Sequence, residues 1–171
     1  MTTLLSPYDL AVTVEACIYA AIDHSANWPI NRHGVVIGEI AWDDCACGQL
    51  VVSETRRYGA TAFPLEAVIG TDNCNEPWLV VAYTVSLTRC VAVSQQSGEP
   101  PAISSLQASA QQNSLDMTQA RRALQCCLSS HYDDNTLLAW EIGSQEVTGP
   151  GGQCAGFDMT FFAGWSNDCG C

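Results

Sequence analysis

Lysine is absent from this chain, and its six basic side chains are Arg32, Arg56, Arg57, Arg89, Arg121 and Arg122. Against them stand 18 acidic residues, giving a formal net charge of −12. Most of such a surface repels a phosphate backbone, which argues against sequence-reading nucleic-acid binding. Arginine in place of every lysine, beside abundant alanine and glycine, is also what a GC-rich genome imposes. Long hydrophobic runs are missing too. The longest, Ala16 to Ile22 and Trp78 to Tyr83, fall far short of the roughly 20 residues needed to cross a bilayer, so a soluble protein without a membrane partner is expected. The N-terminus, Met1-Thr2-Thr3-Leu4-Leu5-Ser6-Pro7, has no basic region, and Glu15 interrupts the apolar stretch that a signal peptide requires. Synthesis in a cytosol follows.

Chemical fingerprints are equally scarce. There is no nucleophile-elbow serine, no phosphate loop and no dinucleotide motif. Gly149-Pro150-Gly151-Gly152 lacks the lysine and following helix of a phosphate loop and reads as an irregular connection. No enzyme activity, catalytic residue, metal ligand or cofactor is assigned. What the chain does have is ten cysteines among 171 residues, with 47% hydrophobic composition. That length builds an apolar core without covalent staples, so the cysteines call for an explanation beyond small size.

Ser6-Pro7 reads as a helix N-cap followed by proline at the first helical position. Leu10, Val14, Cys17, Ile18 and Ala21 recur at helical spacing, which predicts a helix from Pro7 to His24. Two β-rich runs, Gly34 to Trp42 and Gln49 to Arg57, bracket Asp43-Asp44-Cys45-Ala46-Cys47-Gly48 and predict a hairpin. A strand from Trp78 to Val93, with Leu79, Val81, Tyr83, Val85, Leu87 and Val91 on its inward parity, is the expected centre of the sheet. A short helix is expected near Ser104 to Gln112, then a long one from Ser114 to His131 with Asp116 near its positive end. Final strands are expected over Leu137 to Val147 and Cys154 to Ala163. The order α-β-β-(β)-β-α-β-β describes one α+β domain over residues 1–171, a largely antiparallel sheet packed against two helices, with 1–5 and 164–171 as peripheral tails.

The cysteines admit three readings: disulfides, reduced buried thiols, or zinc. Cys45/Cys47 and Cys169/Cys171 each have one intervening residue, whereas structural zinc sites usually have two to four. Cys17 and Cys127 lie on apolar helix faces and read as small core hydrophobes. Cys126, Cys127, His131 and Asp133 suggest a thiol nucleophile with a base, but Cys127 and His131 are successive turns of one stripe. His24 and His33 flank loops and read as exposed. Trp28, Trp42, Trp78, Trp140 and Trp165 are core candidates, one or two of them at subunit contacts.

Four segments, in order, resemble the tail-terminator or head-to-tail joining proteins of siphophages that infect actinobacteria. Asp43-Asp44-Cys45-Ala46-Cys47-Gly48-Gln49-Leu50-Val51-Val52 resembles their cysteine-bearing first hairpin, and Ala62-Phe63-Pro64-Leu65-Glu66 with Cys74 the loop after it. Leu87-Thr88-Arg89-Cys90-Val91 is similar to the end of their central strand. Ala123-Leu124-Gln125-Cys126-Cys127 and Gly149-Pro150-Gly151-Gly152-Gln153-Cys154-Ala155-Gly156 resemble their second helix and closing hairpin. The tail from Gly164 to Cys171 departs from that pattern.

The resemblance implies a tail-terminator-like fold and a structural virion protein: a ring, typically a hexamer, at the tail–head junction, assembled in the bacterial cytoplasm. Its implied partners are further copies of itself, the major tail-tube protein and the head-to-tail stopper or connector. DNA would pass through the lumen without specific binding, eased by acidic walls. Another neck component, a minor tail protein, or a zinc- or thiol-dependent module are the alternatives. Disulfides forming in the released virion are implied for Cys45, Cys47, Cys74, Cys90, Cys126, Cys127 and Cys154, with Cys45 or Cys47 joined to Cys90 and Cys126 or Cys127 joined to Cys154. Arg57, Arg121 and Arg122 are the implied interface residues, Arg56 beside them.

Overall fold

Ser6 opens the first helix as its spacing predicts, its hydroxyl accepting from the Asp9 backbone N–H at 3.1 Å. This computed structural model describes residues 5–38, 48–66, 77–92, 100–151 and 153–166. Helix α1 runs over Pro7–Ala21 and buries Leu10, Ala11, Val14 and Ile18. It stops three residues before His24, because Ile22 turns extended; the His24 Nε2–H then donates to the Tyr19 carbonyl.

Five strands follow: β1 (Arg32–Ile37), β2 (Gln49–Ala60), β3 (Trp78–Cys90), and, after helix α2 (Ile103–Asp133), β4 (Ala139–Gly151) and β5 (Cys154–Ser166). They form one sheet in the order β1-β2-β3-β5-β4. An α+β fold with two helices and a mostly antiparallel sheet is therefore present, and β3 lies at its centre as expected. The predicted first hairpin is not. β1 pairs with β2 in parallel, Arg32 opposite Gln49 and Ile37 opposite Glu54. The turn residues of Asp43 to Cys47 lie outside the described residues, but parallel pairing rules out a tight reversal, since both strands run the same way. Gly48, at φ +97°, seats the start of β2 against the chain before β1: its carbonyl accepts from Asn31 and Arg32, its N–H donates to Thr88, and a Cβ here would overlap the Pro29 carbonyl.

Helix α2 is continuous where two helices are expected. Nothing between Ser104 and Ser114 breaks it, since proline ends at Pro101 and the polar Gln112-Asn113-Ser114 turn keeps its helical bonds. Asp116 is consequently mid-helix, away from the positive dipole end. The bracketed extra strand does not occur among the described residues, where the loop after β2 carries only an isolated Ala62–Leu65 bridge.

Both helices pack on one face of the sheet, α1 against β1, β2 and β3 and α2 against β4 and β5, and on each other. Leu50, Val52, Val81, Tyr83, Val85, Leu87, Phe157, Met159, Phe161, Ala163 and Trp165 face them as a continuous core. The parity expected for β3 and β5 is the parity observed. Tyr83 stacks on Phe161 with centroids 4.6 Å apart and donates its hydroxyl to the Pro7 carbonyl at 2.9 Å. Of the segments expected as peripheral tails, the described ends reach this core: Trp165 is buried, and its indole N–H donates to the Leu5 carbonyl at 2.8 Å. Trp28, Trp78 and Trp140 are half-buried, and Trp42 lies outside the described residues.

Candidate functional site

The inward face of β3 ends not on an apolar residue but on Arg89, which shares the parity of Leu87 and Val85. Only 4% of Arg89 and none of Asp116 is exposed. The guanidinium donates from Nε and Nη2 to both carboxylate oxygens of Asp116, from Nη2 to the Asp23 carbonyl at 2.9 Å, and from Nη1 to the Trp28 carbonyl. Gln112, one turn earlier on α2, donates to the same carboxylate at 3.0 Å. This cluster fastens the end of β3, the middle of α2 and the loop between α1 and β1. In that loop the Ser25 backbone N–H holds the Asp23 carboxyl below its ordinary value.

Among the described cysteines, Cys17 and Cys127 form a disulfide between α1 and α2, their Cα atoms 6.4 Å apart. They pack in the core as expected, but oxidised to one another. The implied pairs are thereby overturned: Cys127 is committed to Cys17, while Cys126 and Cys90 are free and exposed. Successive helical residues point in different directions, so Cys126 is turned outward while its neighbour reaches α1. Cys154 is disulfide-bonded. Cys45, Cys47, Cys74, Cys169 and Cys171, and with them both candidate zinc pairs, lie outside the described residues. No group of three metal-ligating side chains converges among the described residues.

No thiol–imidazole pair forms on α2 at Cys127. The Thr136 hydroxyl donates to the His131 carbonyl, so the His131 Nδ1–H donates to that hydroxyl at 3.0 Å. His33 and His24 are exposed, but both contact α1: His33 meets Glu15 at 2.8 Å, and both rings pack against Tyr19.

The arginines expected at an interface are on the surface with different attachments. A bulge between Glu54 and Arg56 brings Glu54 and Arg57 to the same face of β2, and Arg57 donates to the Glu54 carboxylate, at 2.7 Å from Nη2. That bond raises the Arg57 pKa above its ordinary value. Arg56 pairs with Glu66 and lies over the Tyr58 ring. Arg121 reaches the Gly143 carbonyl on β4 at 3.3 Å, and Arg122 is exposed.

Exposed apolar side chains are spread over the surface, among them Tyr8, Leu65, Leu115, Tyr132 and Val147, and two groups of them lie at the ends of elements. Ile37, at the end of the outer strand β1, is 82% exposed, with Val36 beside it. The first buried residue of α2 is Gln112, so the first nine residues of the helix, Ile103 to Gln111, about 13 Å of its length, form a mostly exposed arm, with Ile103 70% and Leu106 40% exposed. No helix among the described residues is long and apolar enough to cross a membrane. No protein-family model and no curated protein matches the chain.

Proposed function

We propose that this chain is a structural virion protein: a tail terminator whose copies close into a ring, a hexamer, at the junction between the tail tube and the head connector of a siphophage. The observation that carries the reading is the α2 arm. An exposed helical arm bearing Ile103 and Leu106 at i, i+3 spacing is a surface that a neighbouring copy can cover, and burying it contributes to association rather than to the fold of one chain. Head-to-tail contacts of this kind generate rings when the rotation closes. The outer strand β1, with Val36 and Ile37 exposed, supports the same reading, since sheet edges invite pairing. So do the four sequence segments similar to tail-terminator and joining proteins.

In this role the chain performs no catalysis. The ring offers one face to the major tail-tube protein and the other to the stopper or connector, and its acidic composition keeps passing DNA from adhering. Light scattering of the purified chain tests assembly: a hexamer weighs about 110 kDa against 18.3 kDa for one copy. Imaging of purified virions at the tail–capsid junction tests position, because a ring seated on the last tube layer identifies a terminator and one seated at the head a stopper. A monomer at all concentrations, absent from the virion, overturns the reading.

A further inference from the structure

Tyr8, Val12 and Ile37 are 58%, 39% and 82% exposed, and the fold brings them to one corner. Glu15 of α1 meets His33 near the start of β1. Pro7, at the other end of the helix, accepts from Tyr83, which stands in the row Ile37–Glu54–Tyr83 across β1, β2 and β3. Helix α1 therefore lies antiparallel over β1, its first turn level with Ile37. Tyr8, Glu15 and Tyr19 share one side of the helix at i, i+7, i+11 spacing. Glu15 and Tyr19 both touch His33, so Tyr8, with Val12 one turn on, borders the same strand. Ile37 has the parity of His33 and rises on the sheet face that carries α1. Next to it on that face, Glu54 and Arg57 pair and leave the rim of the corner without net charge.

The α2 arm is the complementary surface. No residue from Ile103 to Leu115 is charged, in a chain of net charge −12, and Ile103, Leu106 and Ala110 form an apolar stripe at i, i+3, i+7 spacing. Arm and corner belong to opposite edges of the sheet: α1 packs over β1, β2 and β3, whereas α2 packs over β4 and β5. Two copies of so acidic a chain repel over most of their surfaces, so contact costs least where both surfaces are uncharged. Resting on the ring reading above, we propose that the α2 arm of one copy seats on the Tyr8–Val12–Ile37 corner of the next. The contact is heterologous: each copy gives its arm on one side and receives an arm on the other, the arrangement from which a closing rotation makes a ring. Ile103 and Leu106 cover the apolar centre. The Glu54–Arg57 pair stays at the rim, where charge sets orientation more than affinity.

Mixing two variants of the full chain tests this by light scattering at matched total concentration. One carries Ile103→Asp/Leu106→Asp on the arm, the other Tyr8→Lys/Ile37→Lys on the corner, with Ile37→Lys alone as a milder version. All these positions are exposed, and unchanged unfolding midpoints verify that each variant folds. Each variant alone is expected to need at least about tenfold more protein for half-assembly than wild type. An equal mixture is expected to assemble again: in an alternating ring every Asp-bearing arm meets a Lys-bearing corner, and every unaltered arm an unaltered corner. A corner variant that assembles like wild type while the arm variant does not, or a mixture that stays monomeric, overturns this seat and leaves the ring reading standing. A wild-type chain that is monomeric at every concentration overturns both.

Discussion

Arg89 grips Asp116 through two hydrogen bonds, Nε to Oδ2 at 2.5 Å and Nη2 to Oδ1 at 2.9 Å, both side chains withdrawn from water. Removing one partner of a buried pair leaves an uncompensated charge, so Arg89→Met or Asp116→Asn is expected to cost about 3–5 kcal/mol in urea unfolding. Replacing both with apolar residues is expected to recover much of that, because desolvation of the pair offsets much of its attraction. A single-variant loss below about 1 kcal/mol would show that water reaches the pair.

The Cys17–Cys127 bridge closes a loop with a sequence separation of 110 residues. Its removal in Cys17→Ala/Cys127→Ala is expected to lower stability by about 2–4 kcal/mol, mainly by releasing the unfolded chain. Wild type in reductant should match the double variant in the same reductant. Equal midpoints for oxidised wild type and the double variant would mean that the bridge does not form in solution.

Burial pushes the Tyr83 phenol well above its ordinary value. The unfolded chain therefore releases this proton near pH 10 while the folded chain keeps it. Above that pH the unfolded state binds fewer protons, so stability falls as pH rises, by up to about 1.4 kcal/mol per unit from this group. Tyr83→Phe is expected to lose stability less steeply between pH 10 and pH 11.5. Parallel curves for the two proteins would show that Tyr83 ionises as freely folded as unfolded.

Gly156→Ala places a Cβ on the Leu87 backbone, where neither strand can yield without breaking the β3–β5 ladder. The expected cost is on the order of 3 kcal/mol by thermal unfolding. A neutral effect would require the two strands to sit further apart.

Ile103→Asp/Leu106→Asp is expected to shift the assembled form to monomer in light scattering, with an unfolding midpoint unchanged within error, since neither side chain contributes to the core. Arg57→Glu loses the Glu54 pair and should cost the monomer less than about 1 kcal/mol while weakening assembly; unchanged assembly would remove Arg57 from the interface. Unimpaired assembly of the Ile103/Leu106 double variant would remove the arm from the interface.

Alternating apolar residues made β3 and β5 legible in the sequence, and helical spacing did the same for α1 and the C-terminal half of α2. Each pattern reflects a face that must meet the core. Strand direction was not legible, because a hairpin and a parallel pair bury the same alternation; the difference lies in where the intervening chain travels. Arg89 carried an unread signal. A charge on the inward parity of a central strand demands a buried partner, and Asp116 stands one turn before Ala120 on the apolar stripe of α2. The disulfide was hidden for a related reason: a buried thiol and a buried half-cystine occupy the same helical position.

Taken by itself, the Cys17–Cys127 bridge makes the unfolded chain a lasso, not a thread. Its ring holds β1, β2 and β3, and β4 and β5 belong to the tail. In the sheet order β1-β2-β3-β5-β4, ring and tail meet along a single seam, the β3–β5 ladder. Mechanical load applied through the C-terminal end is thus borne first by that seam.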